Sequence, residues 1–254
     1  MVALADVGLL SVVTSNKLEE HIAPRYRPDN RWFGVSKRVR AMFVHKDRVA
    51  DGSLSRYEDM TLPLFRGRVC MRSGLHNYNV GLVAAMWEHQ GRDVAMRWLQ
   101  ALRGQLARKP QGNDRAQAKA IYQDVCDVTV MNSYYLGKMY DSAEEEQHAW
   151  AQALRLIFPN ERGEGSYVSL SAVAIARHSR HRDKAQQFIE FLASHEGQRL
   201  LMEENKEYPI NDEIALSSFL QSLGRFREVS LDFTRVARRR GDAARMIDAL
   251  RFDR

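Results

Sequence analysis

"CDVTVMNSYYLGKMY", residues 126–140, changes its period partway along. From Cys126 to Asn132 polar and apolar residues alternate, the pattern of a half-buried strand. From Ser133 onward the pattern turns helical, and two phenols, Tyr134 and Tyr135, stand at the junction. A helix start usually carries Ser, Thr, Asp or Asn, and paired aromatics usually belong inside a core. A strand feeding a helix is the unit of α/β architecture, and ligands of open α/β sheets bind beyond the carboxyl ends of the strands.

Outward from this stretch the same unit recurs. "GRVCMRS" (67–73) reads as a strand, "GLHN" as a loop, and "YNVGLVAAMWEHQ" as a helix that opens on Tyr78. If the strands at 67–73 and 126–132 are near neighbours, Tyr78, Tyr134 and Tyr135 face one crevice. "RVRAMFVH" (38–45) is a further strand, and "YVSLSAVAIA" (167–176) is a strand long enough to cross between two bodies. Asp93 opens a helix with Val94, Trp98 and Leu102 on one face. Asp114, with Gln117 three residues later, predicts the N-cap of the next helix. Asp183 begins another, with an apolar stripe of Ala185, Phe188, Ile189 and Leu192. The alternation predicts an α/β fold with a largely parallel sheet.

The 254 residues suffice for one large or two modest domains, and 44% hydrophobic with 28% charged residues is ordinary globular composition. No apolar run reaches membrane-spanning length. The first twenty residues lack the basic start and small-residue cleavage site of a signal peptide. A net charge of +6 suits anionic ligands or acidic surfaces. Much of it lies in "TRVARRRGDAARMIDALRFDR" (234–254), where Ala243, Met246, Ile247 and Leu250 recur at helical spacing; a docked amphipathic helix accounts for it better than a nucleic-acid arm. Cys70 and Cys126 lie outside any zinc-site spacing and read as buried free thiols, with a single disulfide as the alternative. No nucleophile elbow, Walker loop or dinucleotide motif is found, so no enzyme activity is expected.

The phenols have two readings. One is packing, with Tyr134 in the core and Tyr135 covering a surface. The other is metal chemistry. A phenol ionises near pH 10 in water, but a helix N-terminus favours the anion and a trivalent cation favours it far more. Phenolate is a hard oxygen donor, which makes Fe³⁺ its natural partner.

"RWFGVSKRVR", "LSRYEDM", "FRGRVCMRSGLHNYNVGLVA", "KPQGNDRAQ", "CDVTVMNSYYLG", "FPNERGEGSYVSLSAVAI", "QFIEFLASHEGQRL" and "EYPIN" occur in the order found in bacterial ferric-ion-binding proteins. The chain resembles these substrate-binding components of iron(III) ABC importers from about residue 8 to its C-terminus. The resemblance implies a class II periplasmic-binding-protein fold, two lobes joined by a hinge and closing on Fe³⁺ in the interlobe cleft. It implies phenolate ligands at Tyr78, Tyr134 and Tyr135. Arg38, with Arg40 as the alternative, would lie near the metal or a companion anion such as carbonate. Asn113 and Asn132 would be supporting donors.

The resemblance further implies a permease partner in the inner membrane, a monomer, no nucleic acid and a periplasmic location. Family members carry additional βα units, a further metal ligand and an export signal ahead of the matching region. The expectation is therefore a first lobe incomplete at its N-terminus, with retention in the cytoplasm left open. The lobes are expected as 1–40 (partial first lobe), 41–164 (second lobe), 165–215 (return to the first) and 216–254 (C-terminal helical segment on the second). The alternative ligands on the same fold are an anion or a polyamine, and a basic nucleic-acid binder is the more distant alternative.

Overall fold

A computed structural model describes residues 1–254. In chain order the elements are α1 (Val2–Asp6), α2 (Asn16–His21), β1 (Phe33–His45), α3 (Asn77–Gln90), α4 (Arg92–Arg103), α5 (Asp114–Tyr122), β2 (Val128–Asn132), α6 (Tyr134–Tyr140) and α7 (Glu145–Gln152). Then follow β3 (Leu154–Ile157), β4 (Val168–Val173), α8 (Arg182–Ala193), α9 (His195–Asn205), β5 (Tyr208–Pro209), α10 (Ser218–Leu223) and α11 (Phe233–Ala249). No helix is long and apolar enough to cross a membrane.

The chain forms two compact units. The first comprises Met1–Arg38, Ser169–Arg225 and Asp232–Arg238; the second comprises Val39–Val168, Phe226–Leu231 and Arg239–Arg254. The first unit has an apolar core in which Leu18, Ile22, Tyr26, Phe33, Ile189 and Ile210 pack together. Ser15 caps α2 by accepting from the Leu18 N–H, and Ser194 caps α9 from the Gly197 N–H. The first half of β1 pairs antiparallel with β5 through Ser36–Pro209 and Lys37–Tyr208.

In the second unit, the other half of β1 lies between β2 and β3. It pairs antiparallel with β2 from Arg40–Asn132 to Val44–Val128 and with β3 from Met42–Ile157 to His45–Leu154. The expected parallel character is corrected here. Alternation of strands and helices fixes the order of elements but not the direction of pairing, and β1 is the shared partner of strands running against it. Parallel pairing persists as bridges from Val69 to Leu106 and to Val128. The predicted strand at 67–73 is reduced to those bridges, because after Cys70 the chain turns away into a loop.

α3 is apolar on most faces and correspondingly buried at Val80, Leu82, Val83, Ala84, Ala85 and Met86. Gly91, at φ 95°, ends it in a conformation that favours glycine. The cap of α5 is Asn113, whose side chain accepts from the Ala116 N–H, and not Asp114 as the spacing predicts. Asp114 is withdrawn into the interior, where two guanidinium groups claim its carboxylate. The cysteines are a second correction: Cys70 and Cys126 are joined in a disulfide across 56 residues of chain. Closing a loop of that length removes unfolded-state entropy worth about 4 kcal/mol in the chain-entropy account.

The basic C-terminal segment is helical, with Ala243, Met246 and Ile247 buried as the spacing predicts. Its arginines are engaged within the units. Arg238 pairs with Asp6, Arg239 with Glu88, Arg245 with Asp242, and Arg240 donates to the Asn77 carbonyl. This is the bonding of a docked helix.

Candidate metal centre

Two arms of the second unit carry the three phenols. One arm runs from Arg68 through the loop to Tyr78 at the start of α3; the other runs along β2 to Tyr134 and Tyr135 at the start of α6. The arms are neighbours at their base. The Cys70 N–H donates to the Val128 carbonyl at 2.9 Å, and the Asp127 N–H donates to the Arg68 carbonyl at 2.8 Å. At their tips the Tyr78 and Tyr134 hydroxyls stand 3.2 Å apart. The Tyr134 and Tyr135 rings stack with centroids 4.4 Å apart. All three are partly buried, neither sealed in the core nor free on the surface.

Beneath Tyr78 lies a buried ionic group. Asp114 accepts from Arg40 at 3.1 Å, from Arg72 at 2.8 Å and from the Asn132 N–H at 3.1 Å. Arg40 also donates to the side-chain oxygens of Asn79 at 2.7 Å and Asn132 at 3.3 Å, and to the Val130 carbonyl at 3.0 Å. Two guanidinium groups against one carboxylate leave a net charge of +1. The Arg40 and Arg72 guanidinium carbons lie 5.7 and 5.2 Å from the Tyr78 ring centre. Arg115 lies 5.4 Å from the ring centre of Tyr135.

Burial pushes the Tyr134 hydroxyl well above the usual phenol range, and the neighbouring phenols of Tyr135 and Tyr78 push it further; the Asn132 amide acts against them. Burial likewise raises the Tyr135 hydroxyl, with Tyr134 opposing. Any contribution of the helix start toward ionisation is thus outweighed by desolvation, and both groups are neutral near pH 7. Burial and the nearby Arg72 lower the pKa of His76, keeping its ring neutral as acceptor for the Tyr78 N–H at 3.2 Å.

The remaining expected residues divide. Asn132 lies among the phenols, and its buried side-chain nitrogen has no hydrogen-bond acceptor. Arg40 is at the site but buried in the Asp114 group. Asn113 is occupied as the α5 cap. Arg38 lies in the first unit, where it donates to the Leu170 carbonyl at 2.9 Å and approaches Glu207 at 4.0 Å. Asn79, Arg72 and Asp114 are the residues that sequence reasoning missed. Asn79 carries a recoverable signal, a polar residue inside an otherwise apolar helical run. No group of three or more His, Cys, Asp or Glu side chains is arranged to hold a metal.

A mixed α/β fold in two lobes, with a polar site on one of them, defines a solute-binding protein. The model of the family described as bacterial extracellular solute-binding protein matches residues 6–235, and the chain belongs to that family. It is 36% identical over 228 residues to iron uptake protein A1 of Synechocystis sp., covering 89% of this chain and 63% of that protein. Iron uptake protein A2 of the same organism is 35% identical, covering 96% of this chain and 71% of the relative. The chain thus spans a little under two thirds of A1's length. Among solved structures, the apo ferric ion-binding protein A of Pasteurella haemolytica superimposes with a TM-score of 0.92 at 37% identity, over 99% of this chain and 79% of that one. The Trichodesmium protein IdiA, solved with iron and citrate ligands, gives 0.93 at 32% identity, over 98% and 79%.

Proposed function

We propose that this chain is the ferric-ion-binding component of an ABC import system, holding Fe³⁺ through the phenolate oxygens of Tyr78, Tyr134 and Tyr135. The observation that carries this reading is the convergence of the phenols, two hydroxyls 3.2 Å apart and a third ring stacked beside them, above a buried group of net positive charge. Relatives named for iron uptake and for ferric ion binding support it.

The chemistry follows from the resting state of the phenols. Tyr134 and Tyr135 are neutral without the ion, so binding expels their protons, and three phenolates balance the charge of Fe³⁺. The Asn132 amide favours the ionised form of Tyr134. Protons compete with the ion for each oxygen, so acid promotes release. Water or a companion anion such as carbonate or citrate fills the remaining coordination positions, with Arg38 as the candidate anion partner. Asn113 acts through α5, whose first residue is Asp114. A membrane permease would receive the ion, and the monomer would work in the periplasm.

Titration with ferric citrate tests the reading. Tyrosinate–iron charge transfer should give a visible band. The double variant Tyr134→Phe/Tyr135→Phe should lose the band and more than about a hundredfold in affinity, beyond what changes around a metal's ligands usually cost. Unchanged ferric affinity in that variant would return both residues to packing.

A further inference from the structure

Cys70 precedes Tyr78 by eight residues, and Cys126 precedes Tyr134 by eight. The two cysteines are bonded to one another, both are buried, and they sit where the two arms still run side by side. Beyond Cys70 the arms share no backbone hydrogen bond. From there to the phenols their connection passes through side chains, from Arg72 through Asp114 to the Asn132 N–H. We infer that the Cys70–Cys126 disulfide is a positioning bond of the metal site, setting the separation of the Tyr78 and Tyr134 oxygens from the base of the arms. This rests on the ferric reading proposed above.

The geometry favours this over a role in stability alone. A bond elsewhere in the unit would close an equally long loop, but this one joins the two segments that end in the phenols, at equal distance along each. A metal site tolerates little play in its donors, and holding two arms at their common base limits the divergence of their tips. The Arg68–Asp127 ion pair lies beside the same point, two residues before Cys70 and one after Cys126. The disulfide persists only in an oxidising compartment. Its formation transfers two electrons and two protons to the disulfide of a thiol oxidoreductase, which leaves as a dithiol. Iron competence would then be completed where the chain is oxidised.

The test compares the wild type, Cys70→Ala/Cys126→Ala, and Phe65→Ala, a buried residue of the same unit outside both arms. All three are titrated with Fe³⁺ as the citrate, followed by the charge-transfer band and by thermal melting. The inference expects the cysteine variant to bind at least about tenfold more weakly, with a weakened or shifted band, a loss typical of displaced metal surroundings. Phe65→Ala should melt earlier yet keep the wild-type band and affinity. A cysteine variant that melts earlier but binds as the wild type does overturns the inference and leaves the function standing. A wild type without any band overturns both.

Should the cysteine variant not fold, native protein is reduced with a water-soluble phosphine, which becomes its oxide as water supplies oxygen and the disulfide gains two electrons and two protons. The thiols are then alkylated and Ga³⁺ is titrated by tyrosinate difference absorbance. Affinity equal to that of the oxidised protein again overturns the inference.

Discussion

The two arms that carry the phenols reach the same place by different means. The arm ending at Tyr134 is a strand. β2 pairs with β1 residue by residue, and the Ser133 N–H adds a last backbone bond to the Val39 carbonyl, at 2.9 Å, immediately before the tyrosine. The arm ending at Tyr78 keeps one backbone partner past Cys70, the Gln111 N–H on the Met71 carbonyl at 3.2 Å, and from there to the tyrosine it is held by side chains. Arg72 binds Asp114, the Asn79 amide donates to the Arg72 and Ser73 carbonyls, and Asp253 receives the Ser73 hydroxyl and the Gly74 N–H. At Gly74 a Cβ would meet Ile247 and Phe252 at 2.8 Å, so the loop is pressed against the C-terminal segment. A backbone ladder survives most single substitutions, whereas a loop pinned by a few side chains does not. Mutations should therefore damage the Tyr78 arm far more readily.

The sharpest way to break the comparison is at Asp114. It is wholly buried and is the common acceptor for Arg40, Arg72 and the Asn132 N–H, so it anchors the loop arm while touching the tip of the strand arm. Asp114→Asn leaves two buried guanidinium groups without a counter-charge. Removing one partner of such a group costs about 3–5 kcal/mol. Chemical denaturation should show a loss in that range, and ferric affinity should fall with it. A loss under about 1 kcal/mol would mean that solvent reaches the guanidinium groups and that the loop arm does not depend on them.

This contrast also explains what could be read in advance. The strand arm was legible because a period-two pattern running into a helix is a local signal, written in alternate residues such as Val128, Val130 and Asn132. The positions of Tyr78, Tyr134 and Tyr135 on their elements followed from the same signal. The support of the loop arm was not legible. Asp114 lies at a helix start, where an acidic residue satisfies the capping rule, so local pattern assigns it the cap that Asn113 performs. Its partners Arg40 and Arg72 are 74 and 42 residues distant, a separation at which propensity is silent. The disulfide joins cysteines that are individually indistinguishable from buried thiols. Pairing direction was lost likewise, because antiparallel order around β1 is a long-range choice.

Asp127, next to Cys126, tests the base where the arms meet. Burial alone would raise its carboxyl, but hydrogen bonds from Arg48 and Arg68 hold it below the usual carboxylate range. The stability it contributes is therefore full above pH 3.8 and is lost as the pH falls through the lower folded value. Asp127→Asn should cost about 1–2 kcal/mol near neutral pH, the range for charge-assisted bonds whose arginines remain partly solvated. The wild type and variant should converge in acid. Urea midpoints at pH 7 and below pH 3 would check this; a gap that persists in acid would show that the carboxylate's charge is not what joins the arms.

The smallest effect belongs inside the strand arm. Thr129 is fully buried opposite Phe43 in the ladder, and its hydroxyl has no hydrogen-bond partner. Thr129→Val removes that unsatisfied group and keeps a β-branched side chain suited to a strand. A gain of up to about 1 kcal/mol is expected, with ferric affinity unchanged, since backbone pairing and not the hydroxyl sets the path of β2. The measurement reads the arm's mechanism directly. If the variant loses stability or iron, polar side chains hold the strand arm as they hold the loop arm. If it gains stability and binds as before, the backbone ladder alone carries Tyr134 to the site.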